Sequence, residues 1–235
     1  MATPPPPPPL THAQLRERLH TRLIDHYTQL HGTLISITLG AAAFAAAGFV
    51  TAKAKPGDSV LMWLFWVGGL LIVGAVYAGA ITGVFVLPGG IPSLLDLFIP
   101  LGIGLSQFMV FGVLTANVVT ISDPNGIVIG WFAAMAAVAV FAVLGIWRAR
   151  SLMEDLTRYD AAVRSDVTKY RKRLGGDAGG AGCVAVLCVV GAVLRAIKVV
   201  LPLYGMCIYV AVIIGVLVFG LSQHRGAAKE LGKFA

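Results

Sequence analysis

Charge is what this chain has least of. Only 12% of its 235 residues are charged, against about 25% in a typical soluble domain. That deficit excludes an ordinary water-soluble enzyme or binding domain. Cysteine is also scarce: Cys183, Cys188 and Cys207 all lie in apolar runs. An odd, buried set forms neither a disulfide framework nor a paired CxxC metal site. These cysteines read as small hydrophobes. Catalytic signatures are missing too, for the chain has no HExxH, GxSxG, Walker loop or GxGxxG. His12, His20, His26, His31 and His224 fall outside the long apolar runs, and none stands four residues from another. A haem or quinone held between transmembrane histidines is therefore not expected, nor is any other cofactor or metal. The five read as surface histidines.

What the chain has is length of apolar sequence. Hydrophobic residues make up 57% and the mean hydropathy is +0.84. The expected fold class is all-α, a polytopic transmembrane helical bundle. Four runs are plain, near residues 33–51, 59–87, 93–121 and 126–147. Each reaches or closely approaches the ~20 residues that cross a ~30 Å hydrocarbon layer. Between them stand turn formers: Lys55-Pro56-Gly57-Asp58, Pro88-Gly89-Gly90 and Ser122-Asp123-Pro124-Asn125-Gly126. Trp63, Trp66 and Trp147 lie near run ends, where indoles anchor in headgroups. Ala45-Ala46-Ala47 resembles a signal-peptidase site, but a long proline-rich and polar stretch precedes the run, which therefore reads as a retained span.

Ahead of the first run, residues 1–10 form a disordered stub with an unbroken proline run from 4 to 9. It could offer a polyproline ligand, although terminal disorder is the simpler account. Residues 11–32 carry Leu15, Leu19, Leu23, Tyr27 and Leu30 at helical spacing. They predict an amphipathic helix, lying on the membrane or docked on another helix, before a turn into the first span. Residues 148–178 carry eight Lys/Arg and predict a second amphipathic helix that continues the fourth span and closes at Gly175-Gly176. Residues 179–222 are too long for one span at ~1.5 Å per residue. They predict a hairpin of a short fifth span (180–194) and a sixth (199–221), with residues 223–235 as a tail.

Charge counting favours six spans over five. Six place 14 of the 18 Lys/Arg on the side of both termini and leave Lys53, Lys55, Arg195 and Lys198 opposite. Five would divide them 11 to 5 and strand Arg195 and Lys198 in hydrocarbon. Both termini are thus expected in the cytoplasm, with the plasma membrane as the host. The net charge of +7 flanks the spans, where anionic lipid headgroups attract it. Nucleic acid is not an expected partner.

Polar residues inside spans avoid lipid and face the bundle or a wet cavity. On a helix turning about 100° per residue, Asp96, Ser106, Gln107 and Asn117 fall in one sector of the third span, a candidate polar pathway. Plain interhelical hydrogen bonding, at about 0.6 kcal/mol per contact, is the competing account. Arg195 and Lys198 could bind an anion or pair with Asp123, or simply snorkel at a hairpin tip. Gly79 and Gly83, then Gly126, Gly130 and Ala134, then Ala211 and Gly215 stand four apart. Such strips let helices approach closely, within one chain or between copies.

In the 148–174 helix, Lys169, Arg171, Lys172 and Arg173 form a basic cluster suited to lipid headgroups. Leu152, Leu156, Tyr159, Val163, Tyr170 and Leu174 form a narrow apolar seam suited to another helix. Glu154, Asp155, Asp160 and Asp166 argue against a helix that only lies on lipid. The expected function is accordingly a non-catalytic integral membrane protein that docks or organises partners at the cytoplasmic face. The alternative is a small channel or transporter subunit using the third-span sector. The expected partners are a bilayer with anionic headgroups and either further copies of the chain or other membrane subunits.

Overall fold

A computed structural model of the chain describes residues 12–51, 56–86, 94–119, 124–156, 161–197 and 203–231. These form six α-helices and no strand: α1 (His12–Thr51), α2 (Pro56–Val86), α3 (Leu94–Val119), α4 (Pro124–Leu152), α5 (Ala161–Ala196) and α6 (Leu203–Leu231). All six are long and apolar enough to cross a membrane. The ends follow local chemistry. Pro56 and Pro124 open α2 and α4, where a missing N–H costs nothing. Asp96 lies in the first turn of α3, and Arg150 and Arg195 in the last turns of α4 and α5, each favourable to the helix dipole. Inside α1 the hydroxyls of Thr33, Ser36 and Thr38 donate to carbonyls four residues earlier, which satisfies them without a partner helix.

Two expectations about boundaries are corrected. Residues 12–32 of the amphipathic stretch and the first span are one unbroken helix of 40 residues. The shift from polar to apolar side chains at residue 33 leaves the backbone hydrogen-bond ladder untouched, so no turn forms. The predicted 148–174 helix does not exist as a unit. Instead α4 ends at Leu152, and the chain bends where Glu154 N–H donates to the Ser151 carbonyl and Leu156 N–H to the Glu154 carbonyl. Two adjacent acids at a helix C-terminus oppose the dipole, which accounts for a stop there. The basic stretch belongs to α5, which runs 36 residues straight through Gly175 and Gly176. The short fifth span is thus the far end of a long helix.

The helices close into a ring in the order α1, α3, α4, α5, α6, α2, with α2 also touching α3 and α4. Helices α3 and α4 run antiparallel. Gly102 meets Phe141 and Gly130 meets Val113 between α3 and α4, while Gly191 of α5 meets Phe132 of α4 and Tyr209 of α6. The core is aromatic. Phe65, Phe111, Trp131 and Phe132 are fully buried, and Trp131 stacks on Phe65 with ring centroids 4.4 Å apart.

Close approach at glycine sets this packing. A Cβ on Gly69 would fall 2.9 Å from Phe111 and from Val110, both fully buried and unable to retreat. Gly69→Ala should therefore lower stability by about 1 kcal/mol, read as a shift in denaturant midpoint. At Gly74, which has open space around it, the same change should be neutral or stabilising. The four-apart strips are used unevenly. A Cβ on Gly130 would stand 3.0 Å from Val113, whereas one on Gly79, Gly126 or Gly215 would meet nothing within 4 Å.

Candidate functional site

Antiparallel packing of α3 on α4 brings the start of one beside the end of the other. There Asp96 and Arg148 form a two-pronged ion pair. Arg148 Nε donates to Oδ1 at 2.9 Å and Nη2 to Oδ2 at 3.2 Å, with each side chain 25% exposed. Parallel hydrogen bonds from a guanidinium fork to a carboxylate are the strong, geometrically specific kind. Asp96 was expected on a polar route along α3. It is held instead by Arg148, which the sequence places at the start of the amphipathic helix continuing the fourth span. A signal for the pair did exist. Residue 122, in the predicted turn, is the midpoint between 96 and 148, so a hairpin folded there sets the two opposite each other.

Deeper in the bundle lie three buried polar side chains, His31, Thr38 and Gln107. His31 was expected at the surface, yet α1 runs through it into the packed region. Leu34 lies against Gly104, so α1 meets α3 with Thr38 one turn beyond Leu34 and Gln107 one turn beyond Gly104. Gln107 is 2% exposed, and its Nε2 has no hydrogen-bond partner among the described residues. Ser106 is half-buried, and the side chain of Asn117 lies outside the described residues. Asp96, Ser106 and Gln107 are therefore in different surroundings. Asp96 is in an ion pair at the bundle end, and Gln107 is buried in the interior.

The apolar seam is also redistributed. Tyr170 and Leu174 of α5 pack with Val167 against Met153, and Ile146, Ala149 and Leu156 close over them. Leu152 is half-buried, while Tyr159 and the Val163 side chain lie outside the described residues. The expected partner-binding seam is thus largely consumed inside the chain, joining α5 to the end of α4. Around it the basic residues differ. Arg171 pairs with Glu154 at 2.9 Å and Lys169 with Asp166 at 3.4 Å, whereas Lys172 is exposed and Arg173 half-buried. Arg150, which sequence reading passed over, reaches across α5 until its Nη1 lies 3.4 Å from where a Gly175 Cβ would stand. At the other end of α5, Arg195 is half-buried and its Nε has no partner among the described residues. Lys198 and Asp123 lie outside the described residues, as does the proline run.

Among the described residues, no three His, Cys, Asp or Glu side chains gather as metal ligands. No protein-family model, curated protein or solved structure matches the chain.

Proposed function

We propose that this is a non-catalytic integral membrane protein that docks partners at its cytoplasmic face, through the projecting first half of α1. The supporting observation is the length and continuity of α1. Forty residues extend about 60 Å, twice a hydrocarbon layer of about 30 Å. With α1 and α3 parallel, as six alternating spans require, the contact of Leu34 with Gly104 sets residue 24 level with the start of α3. Residues 12–23 then project about 18 Å past it. Thr21 and Asp25 are exposed, and the sequence puts Leu15, Leu19 and Leu23 on one face. A rigid leucine-bearing extension, continuous with a span, suits a partner helix better than a membrane surface. The first half of α5, which carries Arg164, Lys169, Arg171, Lys172 and Arg173, packs beside the end of α4. A majority of Lys/Arg there makes that end cytoplasmic by the positive-inside rule. A solute route along α3 has weaker support, because Arg148 occupies Asp96 and Gln107 is enclosed.

The partner is a second copy or another subunit with a complementary apolar helix. In native-lipid nanodiscs the wild-type particle should exceed the mass of one chain. Leu15→Asp with Leu23→Asp should reduce it to one chain without loss of membrane insertion. An unchanged mass, or a wild-type particle that already holds a single chain, overturns the docking reading.

A further inference from the structure

We propose that one flank of α5 is a binding site for a single anionic phospholipid, with Arg150 and Lys172 holding its phosphate. The site needs only a chain that spans a bilayer and stands apart from the docking role of α1. Its first element is a pair of uncommitted cations. Arg150 comes from the last turn of α4 and crosses α5 at Gly175, where no side chain stands in its way. Lys172, one turn earlier on α5, is exposed. Neither makes an ion pair among the described residues, whereas neighbouring Arg171 is matched by Glu154. Two cations from two helices thus converge on one flank with no protein anion between them.

The second element is what lies below them. On a helix turning about 100° per residue, Lys172, Gly175, Gly179 and Gly182 fall within a sector of about 80°. Gly179 and Gly182 have nothing within 4 Å of a would-be Cβ. Val186, Val190 and Val193 continue the same sector, and they are 62%, 43% and 51% exposed. The flank therefore reads, from the end inward, as cations, a bare glycine floor and an apolar stripe. That is the order of a phospholipid: phosphate, glycerol backbone and acyl chain.

Depth agrees with the order. Counting ~20 residues for the hydrocarbon layer back from Ala196, the end of α5, reaches Asp177. Gly175 and Arg150 then sit at headgroup level, and Val186 lies inside the layer. Trp147, 63% exposed just ahead of Arg148, has the placement of an interfacial indole. A second copy is a poor occupant of this flank. A two-fold axis along the membrane normal would set Arg150 and Lys172 against their own equivalents, and like charges facing one another repel.

The test uses full-length protein in a mild detergent, titrated with dioctanoyl phosphatidylglycerol and read by native mass spectrometry. Dioctanoyl phosphatidylcholine and inorganic phosphate are the comparison arms. One phosphatidylglycerol should bind per chain, and both comparison ligands should bind about tenfold more weakly: phosphatidylcholine because its trimethylammonium brings a like charge to the two cations, and inorganic phosphate because it lacks the acyl chains. Arg150→Gln should weaken phosphatidylglycerol about tenfold while Arg150→Lys retains most of it. Arg173→Gln removes the same charge from the far side of α5 and should change binding less than twofold. Gly179→Leu should abolish lipid binding with all charges present. Lys172→Gln, at an exposed position, gives the same reading should Arg150→Gln fail to fold. Equal losses for Arg150→Gln and Arg173→Gln would overturn the site in favour of diffuse attraction. Phosphatidylcholine binding as tight as phosphatidylglycerol would overturn it as a headgroup site, and phosphate binding as tight would leave an anion site without a lipid.

Discussion

Trp131→Ala should destabilise the bundle by about 3 kcal/mol, at the lower end of aromatic-to-alanine losses. The lower end applies because helices in a bilayer gain little from hiding apolar area from lipid tails that are equally apolar. What they lose is packing contact, and Trp131 has much to lose. It is fully buried, stacked on Phe65 and edge-on to Phe132 at 5.4 Å. Its indole N–H donates to the Phe65 carbonyl at 3.1 Å. Its ring also fits into the space left by Gly68, 3.2 Å from that residue's would-be Cβ. Truncation therefore opens a hole where α2 and α4 meet. Trp131→Phe keeps most of the stack and removes the hydrogen bond, so its cost should be about 1 kcal/mol. Trp63→Ala, at a position 37% exposed, should cost less than either. Unfolding in mixed micelles with rising dodecyl sulfate would rank the three. Equal losses for Trp131→Phe and Trp131→Ala would assign the effect to the hydrogen bond and not to packing.

The six apolar helices were legible because ~20-residue apolar length is a property of composition, and composition survives without any knowledge of neighbours. Continuity was not legible. The change from Arg-rich to apolar sequence near residue 33 looks like a boundary in hydropathy, but a helix ends only when its backbone ladder ends. The reverse error occurred at residue 153, where an apolar periodicity from Leu152 to Leu174 suggested one helix. That periodicity records two surfaces folded onto each other, with Met153 and Leu156 on one side and Tyr170 and Leu174 on the other. A seam that faces itself has the same spacing as one that faces a partner. Gly175 and Gly176 look like a stop for a similar reason. Glycine weakens a helix by about 1 kcal/mol but does not forbid it, and here Arg150 lies over the first of them.

Close helix packing was legible only where it was local. In the strip of Gly126, Gly130 and Ala134, Gly130 lies against Val113 and Ala134 is buried in the core, but Gly126 has open space around it. The tightest approaches are at Gly102, Gly104 and Gly69, against Phe141, Leu34 and Phe111. A glycine becomes a contact because a large side chain stands opposite on another helix, and spacing within one helix carries no record of that. The candidate polar sector shows the same limit. Angles on one helix grouped Asp96 with Gln107 correctly as inward-facing, but what each one faces depends on α4 and α1.

Loss of either partner of the Asp96–Arg148 pair should destabilise the protein by about 2 kcal/mol, between the values for exposed and buried pairs. The reduction from the buried value follows from the quarter exposure of both side chains, which lets water screen the survivor. The geometry works in the other direction, since two parallel hydrogen bonds at 2.9 and 3.2 Å hold the start of α3 in register with the end of α4. Arg148→Ala leaves a carboxylate at the edge of an apolar bundle, and Asp96→Ala leaves a guanidinium that can reach outward to headgroups. The first should therefore be the more damaging. Removing both together should cost less than the two single losses added, by about 1 kcal/mol. The exchanged pair, Asp96→Arg with Arg148→Asp, should recover part of the loss, though it sets each charge against the wrong end of its helix dipole. A double-mutant cycle in the same micelle assay reads all of these values. Strict additivity would mean that Gly102 on Phe141 and Gly130 on Val113 align α3 and α4 without help from charge. Asp96 would then be free to face water, and the polar route along α3 would regain its first residue.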